Sequence, residues 1–394
     1  MDFLINTVKT PVYIFNEDQF TSNFKKLESA FKKYYENFKI GYSFKTNYLP
    51  RACAIIKELG GYAEVVSPME LQLACDLGFK LQDIIYNGVC KDYNDKFIYE
   101  FIWNDGMLNV DNIEEFRKIA CFAEQTNIPV RVGIRLNFDI GNDLVSRFGI
   151  DVNGKDFDEV CETVKNNPYI KIKGIHCHIS KARELNYWER RVDIMIYISK
   201  IFGGVDYIDL GSNLYSEMEE ELAKQYGNDI PTFEQYAETI AKRFAEEFNG
   251  TYKPTLILET GTPLAANSMS VVSTVRNIKE VQGKTFATMD CSKYNLGCIS
   301  EVKDVPIEVY NLGEGKEHDS VDLVGYTCIE DDTVKRNYKG KIGVGDKVLF
   351  KNVGAYSNTM ANHFIKPNIP IVNEYGDLLK EGDTYKSVFS KYIY

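Results

Sequence analysis

One lysine stands at a point in the sequence where many enzymes place their chemistry. In the segment IGYSFKTNYLP, residues 40–50, apolar and small residues alternate up to Lys45, and Pro50 follows shortly after. The alternation predicts a short buried strand, and the proline predicts the start of a helix. Lys45 would then lie at the carboxyl end of a strand, where parallel α/β proteins place their catalytic residues. Taken alone, a lysine in this position is more often a surface residue.

Further polar residues follow other strand-like segments. They are Glu64, Arg135, His176 and His178, the turn Gly211-Ser212-Asn213, and the segment Glu259-Thr260-Gly261. Each has a structural explanation of its own, such as an ion pair for Glu64 or a buried hydrogen bond for His178. The carboxyl ends of parallel strands converge on one mouth of a barrel, so together these residues predict one ligand site. No metal is predicted, because the two histidines have no evident third ligand.

The chain between these residues alternates between strand and helix patterns. Strand-like segments occur at 38–45, 61–67, 83–88, 106–111, 129–137, 171–179, 205–211 and 254–260. Eight such alternations over about 240 residues predict an α/β fold, a (β/α)8 TIM barrel. A doubly wound sheet is the alternative, but it does not require eight strands, and the sequence has no G-x-G-x-x-G fingerprint.

The pattern changes after residue 265. Strand-like segments separated by Gly and Asp turns replace the alternation with helices, as in KIGVGDKVLFKNVGAY at 341–356. This predicts a mostly β domain over 266–394, following a barrel domain over 20–265. The opening strand at 8–16 precedes the first barrel helix, so we expect it to pair with the C-terminal domain.

Composition excludes several classes of partner. The formal net charge of −11 argues against nucleic acid and against an anionic membrane surface. No apolar run is long enough to span a membrane, and the first 15 residues lack the pattern of a signal peptide. Nine cysteines without a Cys-x-x-Cys pair are typical of reduced thiols. We therefore expect a cytoplasmic protein.

Taken in order, the motifs resemble a known family. The chain resembles the decarboxylases that depend on pyridoxal 5′-phosphate and have an alanine-racemase-like fold, which include diaminopimelate and ornithine decarboxylases. The matching motifs run from TPVYIF and YSFKTN through AEVVSPMEL, GIHCHIS, IDLGSN, LETGTP, MDCSKYNL, GYTCIEDD and VGAYSNTMANHF to GDLLKEGDTY. Each is weak alone, but their order and spacing cover nearly the whole chain.

The resemblance implies roles for the residues at the predicted barrel mouth. Lys45 would bind the cofactor covalently through its amine. Glu259 would face the pyridine nitrogen and keep it protonated, so that the ring accepts the electrons released when carbon dioxide leaves. His178 would stack on the cofactor ring, and Glu64 and Arg135 would belong to the polar shell around it.

The resemblance also implies a homodimer with two shared active sites. Tyr356 would reach the cofactor phosphate from the partner subunit. Cys328 would also cross the interface and would be the acid that protonates the carbanion after decarboxylation.

The sequence departs from the family pattern where the phosphate should bind. Only Gly211 remains of the family's three-glycine turn, and Thr260 and Thr262 stand in place of a proline and an arginine. We hypothesise a rebuilt phosphate site in which Lys181 supplies the missing charge. Its other members would be Ser180, Gly211, Ser212, Asn213, Gly261 and Thr262.

The substrate end departs as well. Ile329 follows Cys328, where diaminopimelate decarboxylases have a glutamate, and NLGCIS lacks their arginine. The acids that come next, Glu330, Asp331 and Asp332, favour a basic amino acid, and a substrate linked to a carrier protein is also compatible. Two other functions stay open: a racemase of the same fold, which would have an arginine in place of Glu259, and an inactive regulatory relative.

Overall fold

The structure, a computed structural model, describes residues 2–91, 96–227 and 229–393. Contacts divide the chain into two compact units. The barrel unit comprises Asn23–Tyr215 and Pro231–Gly261, and the β unit comprises Met1–Ser22, Ser216–Ile230 and Thr262–Tyr394.

The strands and helices are numbered in chain order. The strands are β1 (Val12–Phe15), β2 (Phe38–Ser43), β3 (Tyr62–Val65), β4 (Ile84–Tyr86), β5 (Met107–Val110), β6 (Val130–Asn137), β7 (Ile150–Asp151), β8 (Ile170–His176), β9 (Tyr207–Asp209), β10 (Thr255–Thr260), β11 (Met269–Val281), β12 (Lys284–Met289), β13 (Ile307–Tyr310), β14 (Lys316–Val324), β15 (Thr333–Ile342), β16 (Lys347–Phe350), β17 (Ile371–Asn373) and β18 (Leu378–Lys380). The helices are α1 (Asp2–Thr7), α2 (Glu17–Lys32), α3 (Pro50–Glu58), α4 (Pro68–Asp76), α5 (Lys96–Trp103), α6 (Ile113–Thr126), α7 (Lys155–Asn166), α8 (Leu185–Ile201), α9 (Glu220–Ala223), α10 (Phe233–Glu247), α11 (Thr262–Ala265), α12 (Lys293–Leu296), α13 (Ile299–Val302) and α14 (Tyr385–Phe389). Three short 3-10 helices cover Phe44–Thr46, Leu81–Asp83 and Ala266–Ser268.

Eight strands of the barrel unit form a closed ring. In order around the ring they are β2, β3, β4, β5, β6, β8, β9 and β10, and every pairing between them is parallel. The pairing of β10 with β2 closes the ring. This confirms the predicted TIM barrel, and each of the eight predicted segments overlaps one barrel strand. The short strand β7, which pairs with β6, was not predicted.

One tyrosine fills part of the barrel interior because two neighbouring strands carry glycine beside it. Gly133 in β6 and Gly174 in β8 are paired in register. A Cβ atom on Gly133 would lie 2.1 Å from the hydroxyl oxygen of Tyr207, and one on Gly174 would lie 2.0 Å from its ring. The buried Tyr207 therefore needs both glycines, and its hydroxyl group reaches the polar network described below.

Local sequence signals mark the start of two helices around the barrel. Pro50 occupies the first turn of α3, and the apolar face of that helix buries Ala52, Cys53, Ile55 and Ile56. The side chain of Ser67 caps α4 by accepting a hydrogen bond from the backbone N–H of Glu70. Within the described residues, none of the helices has the length and apolar character needed to cross a membrane.

The β unit is built on a sheet of nine strands. Its main path runs β15, β14, β12, β11, β1, β17 and β18, while β16 pairs with both β11 and β13. The N-terminal strand β1 lies inside this sheet, antiparallel to β11 and parallel to β17. A strand from the start of the chain is therefore central to a sheet otherwise built from its last third.

Candidate active site

The lysine singled out in the sequence stands at the carboxyl end of the barrel. Lys45 lies in the 3-10 helix that directly follows β2. Its ammonium group forms an ion pair with the carboxylate of Glu64, which belongs to the neighbouring strand β3. The Nζ atom also lies 3.5 Å from the Oγ atom of Ser43. The side chain of Lys45 is 38 % exposed and that of Glu64 only 1 %, so the amine stands between the barrel interior and the open mouth.

A chain of hydrogen bonds inside the barrel connects two buried carboxylates. The amide nitrogen of Asn87 donates to Glu64 over 3.1 Å and also to Glu259. The amide oxygen of Asn87 accepts from Asn109 over 2.8 Å, and Asn109 in turn accepts from the hydroxyl group of Tyr207 over 2.7 Å. Because Asn109 donates to the oxygen of Asn87, the nitrogen of Asn87 must face the two carboxylates.

A histidine and a second acid surround Glu259 at the end of β10. The Nε2 atom of His176 lies 3.1 Å from a carboxylate oxygen of Glu259. Burial opposes ionisation of Glu259, but the charge of His176, its hydrogen bond and the ammonium group of Lys45 together lower the pKa of this carboxyl group. Burial and the charge of Glu259 raise the pKa of Asp209 well above its usual range. The site therefore favours the ionised form of Glu259 and disfavours ionisation of Asp209.

These groups also have the composition of a metal site. The ligand atoms of His176, Asp209 and Glu259 all lie within 4.8 Å of one another, a grouping that the sequence analysis did not predict. However, His176 already bonds to Glu259, and a protonated carboxyl group is a poor metal ligand. The chemistry of this donor set therefore favours a hydrogen-bonded pair of His176 and Glu259.

His178 lies just beyond the end of β8 in the loop at the barrel mouth. Its Nδ1 atom accepts a hydrogen bond from the backbone N–H of Ser212 over 3.4 Å. Burial and the nearby charge of Lys45 lower the pKa of His178 to about 3. The ring is therefore neutral at neutral pH, and a neutral imidazole is suited to packing against another flat ring.

Arg135 is held by a buried acid on the neighbouring strand-to-helix loop. Its guanidinium group lies 3.2 Å from the carboxylate of Asp111 and 4.7 Å from the centre of the Phe148 ring. The backbone N–H of Asp111 donates to Glu115, which forms a buried ion pair with Lys91 over 3.3 Å. These contacts fix the guanidinium group at the end of β6.

The turn after β9 keeps the backbone shape that glycine provides. Gly211 has a φ angle of +61°, and a Cβ atom on it would lie 2.4 Å from the carbonyl oxygen of Cys177. Asn213 has a φ angle of +115°, a conformation that asparagine tolerates better than most residues. After β10, a Cβ atom on Gly261 would lie 1.9 Å from the Oγ1 atom of Thr46. Both glycines keep the backbone close to neighbouring loops at the mouth.

The predicted site residues of the barrel unit divide into two groups. The strand ends and the turns that follow them carry Lys45, Glu64, Arg135, His178, Gly211, Ser212, Asn213, Glu259 and Gly261. Ser180 and Lys181 lie in the loop between β8 and α8, and both are exposed. Lys181 has a left-handed backbone, with a φ angle of +53°.

The predicted substrate residues form one loop of the β unit, between β14 and β15. Cys328 and Glu330 are exposed, whereas Asp332 is buried. One carboxylate oxygen of Asp332 accepts from the N–H and hydroxyl group of Thr327, over 3.1 and 2.6 Å. Its other oxygen accepts from the backbone N–H of Lys293 over 2.8 Å. Asp332 thus organises the loop that presents Cys328.

The remaining acid of this loop and two further predicted residues also belong to the β unit. Asp331 forms ion pairs with Lys293 over 3.2 Å and with Arg336 over 3.0 Å. Tyr356 has a φ angle of +57°, a strained conformation of the kind that clusters at functional sites. Thr262 is the first residue of α11.

Several residues of the barrel network were not predicted from the sequence. Asn87, Asn109, Tyr207 and Asp209 all lie on or directly after barrel strands. Asn87 and Asp209 carry the strand-end signal that identified Glu64, so the same rule could have found them. Asn109 and Tyr207 lie inside short apolar segments, and nothing in the sequence pattern distinguishes them from other strand residues.

Comparison with known proteins adds independent findings. Residues 18–266 match the family described as pyridoxal-dependent decarboxylase, pyridoxal binding domain. The chain is 25 % identical to a diaminopimelate decarboxylase of Methanocaldococcus jannaschii, over 98 % of this chain and 91 % of that protein. It is 27 % identical to a diaminopimelate decarboxylase of Helicobacter pylori, over 92 % of this chain and 89 % of that protein.

Solved structures show the same fold. The crystal structure of diaminopimelate decarboxylase from M. jannaschii superposes with a TM-score of 0.86 at 24 % identity, covering 100 % of this chain and 94 % of that one. The structure of lysine decarboxylase from Selenomonas ruminantium gives a TM-score of 0.75 at 19 % identity, covering 95 % of this chain and 94 % of that one. The similarity therefore extends over both units.

Proposed function

Since the chain belongs to the pyridoxal-dependent decarboxylases, we propose that its substrate is an amino acid with a second amino group at the far end of its side chain. The reaction is amino-acid decarboxylation, and the cofactor is pyridoxal 5′-phosphate. One observation supports the assignment of residues. The Lys45 ammonium group pairs with the buried Glu64 at the barrel mouth, and the ionised Glu259 lies near the end of its own strand at the same mouth.

The residues at the mouth fit this cofactor. Lys45 supplies an amine at a strand end, and the neutral ring of His178 offers a flat surface. Gly211 and Gly261 let the backbone at the mouth approach neighbouring loops more closely than a side chain would allow. When bound, pyridoxal phosphate supplies a ring that accepts the electron pair left behind as carbon dioxide departs.

Each residue of the chain has a separate task in this proposal. Glu64 holds and orients the amine of Lys45. Glu259 would hold a proton on the pyridine nitrogen, and this would require the carboxylate to stay ionised while buried. His176 and Asn87 meet that requirement, because both bond to Glu259. The arrangement thus stabilises the charged form of Glu259 before any substrate binds.

We assign the final proton transfer to the β unit. The exposed thiol of Cys328 would donate a proton to the substrate carbon in the site of a partner subunit, and Tyr356 would contact the cofactor phosphate there. This homodimer can be tested with two inactive variants, Lys45→Ala and Cys328→Ala. Mixing them should restore about a quarter of the wild-type activity if sites are shared, and none if each chain carries a complete site.

The acids after Cys328 support a substrate with a distal ammonium group. Asp332 accepts from two donors of its own loop and from the backbone N–H of Lys293, and Asp331 is paired with two cations. Glu330 is therefore the acid that we propose for the substrate. The relatives support the same type of substrate, since they are named for diaminopimelate and lysine, and one solved structure contains L-lysine. The comparisons give no support to a carrier protein as partner.

The test begins with the cofactor. An absorbance spectrum before and after borohydride, followed by peptide mass mapping, should place the reduced adduct on Lys45. Carbon dioxide release should then be measured with lysine, ornithine, diaminopimelate and glutamate. Release from the first three but not from glutamate supports the proposal, and preference for glutamate contradicts it.

Two variants separate the substrate assignment from effects on folding. Glu330→Gln should raise KM for the diamino substrate and leave the cofactor spectrum unchanged. Glu317→Gln, which neutralises an exposed acid of β14, is the matched control and should change neither. Failure of the wild type to form any adduct would favour an inactive regulator, and loss of optical rotation without carbon dioxide release would favour a racemase.

A further inference from the structure

The cofactor phosphate needs cationic and N–H donors that the family pattern no longer supplies here. Thr262 stands where the resemblance places an arginine, and the three-glycine turn is Gly211-Ser212-Asn213. In TIM barrels the loops after the seventh and eighth strands commonly bind phosphate. The seventh barrel strand is β9, which this turn follows directly. We therefore expect the replacement phosphate donors in this turn and in the loops next to it.

A buried arginine behind the turn sets the direction of its peptide groups. Arg191, on α8, donates to three backbone carbonyl oxygens, those of Ile179, Leu210 and Ser212, over 3.2 Å each. In a planar trans peptide the N–H points opposite to the C=O. The N–H groups of Ser180 and Asn213 therefore point away from Arg191. In the part of the chain that the structure describes, neither N–H has a protein acceptor.

The same two peptide groups lie near each other, because their carbonyl oxygens accept from the same guanidinium group. The side-chain nitrogen of Asn213 also lies 3.4 Å from the carbonyl oxygen of Ile179, so the loop after β8 contacts the turn after β9. Two neighbouring N–H groups that lack acceptors form a small anion-binding concavity. Such a concavity suits the oxygens of a phosphate, but it carries no full positive charge.

Arg183 supplies a full charge next to this concavity. Its Nε atom donates to the side-chain oxygen of Asn213 over 3.0 Å, and its guanidinium carbon lies 4.8 Å from the centre of the Tyr215 ring. The hydroxyl group of Tyr236 donates to the carbonyl oxygen of Arg183 over 2.7 Å, which anchors the backbone. A guanidinium group held on one edge keeps a planar set of donors in a fixed orientation, which matches phosphate geometry.

We propose that Arg183, together with the N–H groups of Ser180 and Asn213, binds the cofactor phosphate and replaces the arginine that is Thr262 here. The inference rests on the proposed function, because it requires pyridoxal phosphate to bind at the barrel mouth. It differs from the hypothesis made for Lys181. The Lys181 side chain is exposed and, within the described ranges, makes no ion pair. Arg183 instead bonds directly to Asn213 of the turn after β9.

The experiment compares pyridoxal 5′-phosphate with pyridoxal, which has the same ring and aldehyde but no phosphate. Dissociation constants are measured by absorbance titration of the cofactor-free protein. A charged hydrogen bond of ordinary strength predicts that Arg183→Gln weakens pyridoxal phosphate binding roughly tenfold to a hundredfold. Pyridoxal binding should change less than twofold. The ratio of the two constants is measured within one variant, so it also reports whether the ring site is intact.

Three further variants complete the design. Arg183→Lys retains the charge and should recover part of the ratio. Arg117→Gln removes an exposed arginine of α6 and should leave the ratio unchanged. Lys181→Gln tests the competing assignment: a large loss of the ratio there, with none in Arg183→Gln, would overturn the proposal in favour of Lys181.

Inorganic phosphate gives an independent readout that does not involve Lys45. Millimolar phosphate should raise the melting temperature of the cofactor-free wild type, and Arg183→Gln should lose that shift. Equal weakening of both pyridoxal compounds in Arg183→Gln would mean a structural role and would refute phosphate binding. A wild type that binds neither compound would refute the proposed function itself, and with it this inference.

Discussion

The Nε2 atom of His176 lies 3.1 Å from a carboxylate oxygen of Glu259, and both side chains are almost completely buried. Asp209 lies within 4.8 Å of the pair, and burial and the charge of Glu259 raise its pKa. A histidine thus favours the ionised form of one carboxyl group in the barrel, while burial and the resulting charge favour the protonated form of its neighbour. This division of charge leads to predictions that distinguish the three residues.

Replacing the histidine should weaken the ionised state of Glu259. His176→Phe removes the hydrogen bond and the favourable charge interaction, so the pKa of Glu259 should rise. We expect kcat near pH 7 to fall roughly tenfold to a hundredfold. The acid limb of the pH profile should also move to higher pH, which a purely structural defect would not produce. His176→Gln retains a donor and should show a smaller effect on both quantities.

Asp209 should make the cofactor-free protein less stable as pH rises. Its folded pKa is raised, whereas in the unfolded chain it ionises near pH 4. The folded state therefore binds more protons, and the free energy of unfolding falls with a slope approaching about 1.4 kcal/mol per pH unit between the two pKa values. Asp209→Asn should lose this slope.

Urea unfolding of wild type and Asp209→Asn at several pH values measures that difference. In the wild type, the backbone nitrogen of Gly211 lies 2.8 Å from a carboxylate oxygen of Asp209. Asparagine keeps an oxygen that can accept this hydrogen bond. The stability of the variant relative to wild type should therefore increase as the pH rises above about 4. Parallel stability curves above about pH 4 would show that the pKa of Asp209 is not raised in the folded protein.

His178 should not titrate in the range where the enzyme is assayed. Burial and the charge of Lys45 lower its pKa to about 3, so its ring stays neutral from pH 5 to pH 8. Nitrogen-15 spectra of ring-labelled histidine in the cofactor-free protein should contain one signal that does not shift over this interval. That signal should disappear in His178→Asn. A signal lost in this variant that had shifted with a midpoint near pH 6.5 would contradict the prediction.

A methyl group at Gly211 should be more damaging than left-handed backbone strain alone. The residue has a φ angle of +61°, and the new Cβ atom would lie 2.4 Å from the carbonyl oxygen of Cys177. Gly203 has a similar φ angle of +73° with no atom near its Cβ position, so Gly203→Ala measures strain without the clash. We expect that control to cost about 1–2 kcal/mol and Gly211→Ala to cost at least ~1 kcal/mol more. Equal costs in denaturant unfolding would mean that the turn can move.

The sequence was sufficient for the barrel because strand and helix periods are local. Each barrel strand ends in a turn, so the residues that follow it, such as Lys45 and Glu64, could be identified by position alone. The residues that form hydrogen bonds with them could not be identified in this way. Asn87 and Glu259 are 172 residues apart in sequence and bond directly, and a single sequence carries no signal for such a contact.

Sequence patterns predict least around the turn Gly211-Ser212-Asn213. The sequence shows that two glycines of the family's three-glycine turn are replaced, and that Lys181 lies in the neighbouring loop. The contact between Arg183 and Asn213 depends on how two loops from adjacent strands lie against each other. Loop conformation follows from packing and from carbonyl groups held by Arg191, which no local pattern encodes.

The position of β1 inside its sheet has a consequence for synthesis on the ribosome. Val12 pairs with Val272, and Tyr13 pairs with Ile371, so neither neighbour exists when β1 leaves the exit tunnel. At translation rates of ~5–20 residues per second, this apolar strand waits roughly 13–52 s for β11. During that time the whole barrel can emerge and fold, while an unpaired hydrophobic edge stays exposed to chaperones and to other nascent chains. Slowing translation after the barrel should therefore increase aggregation of this protein before it affects the barrel itself.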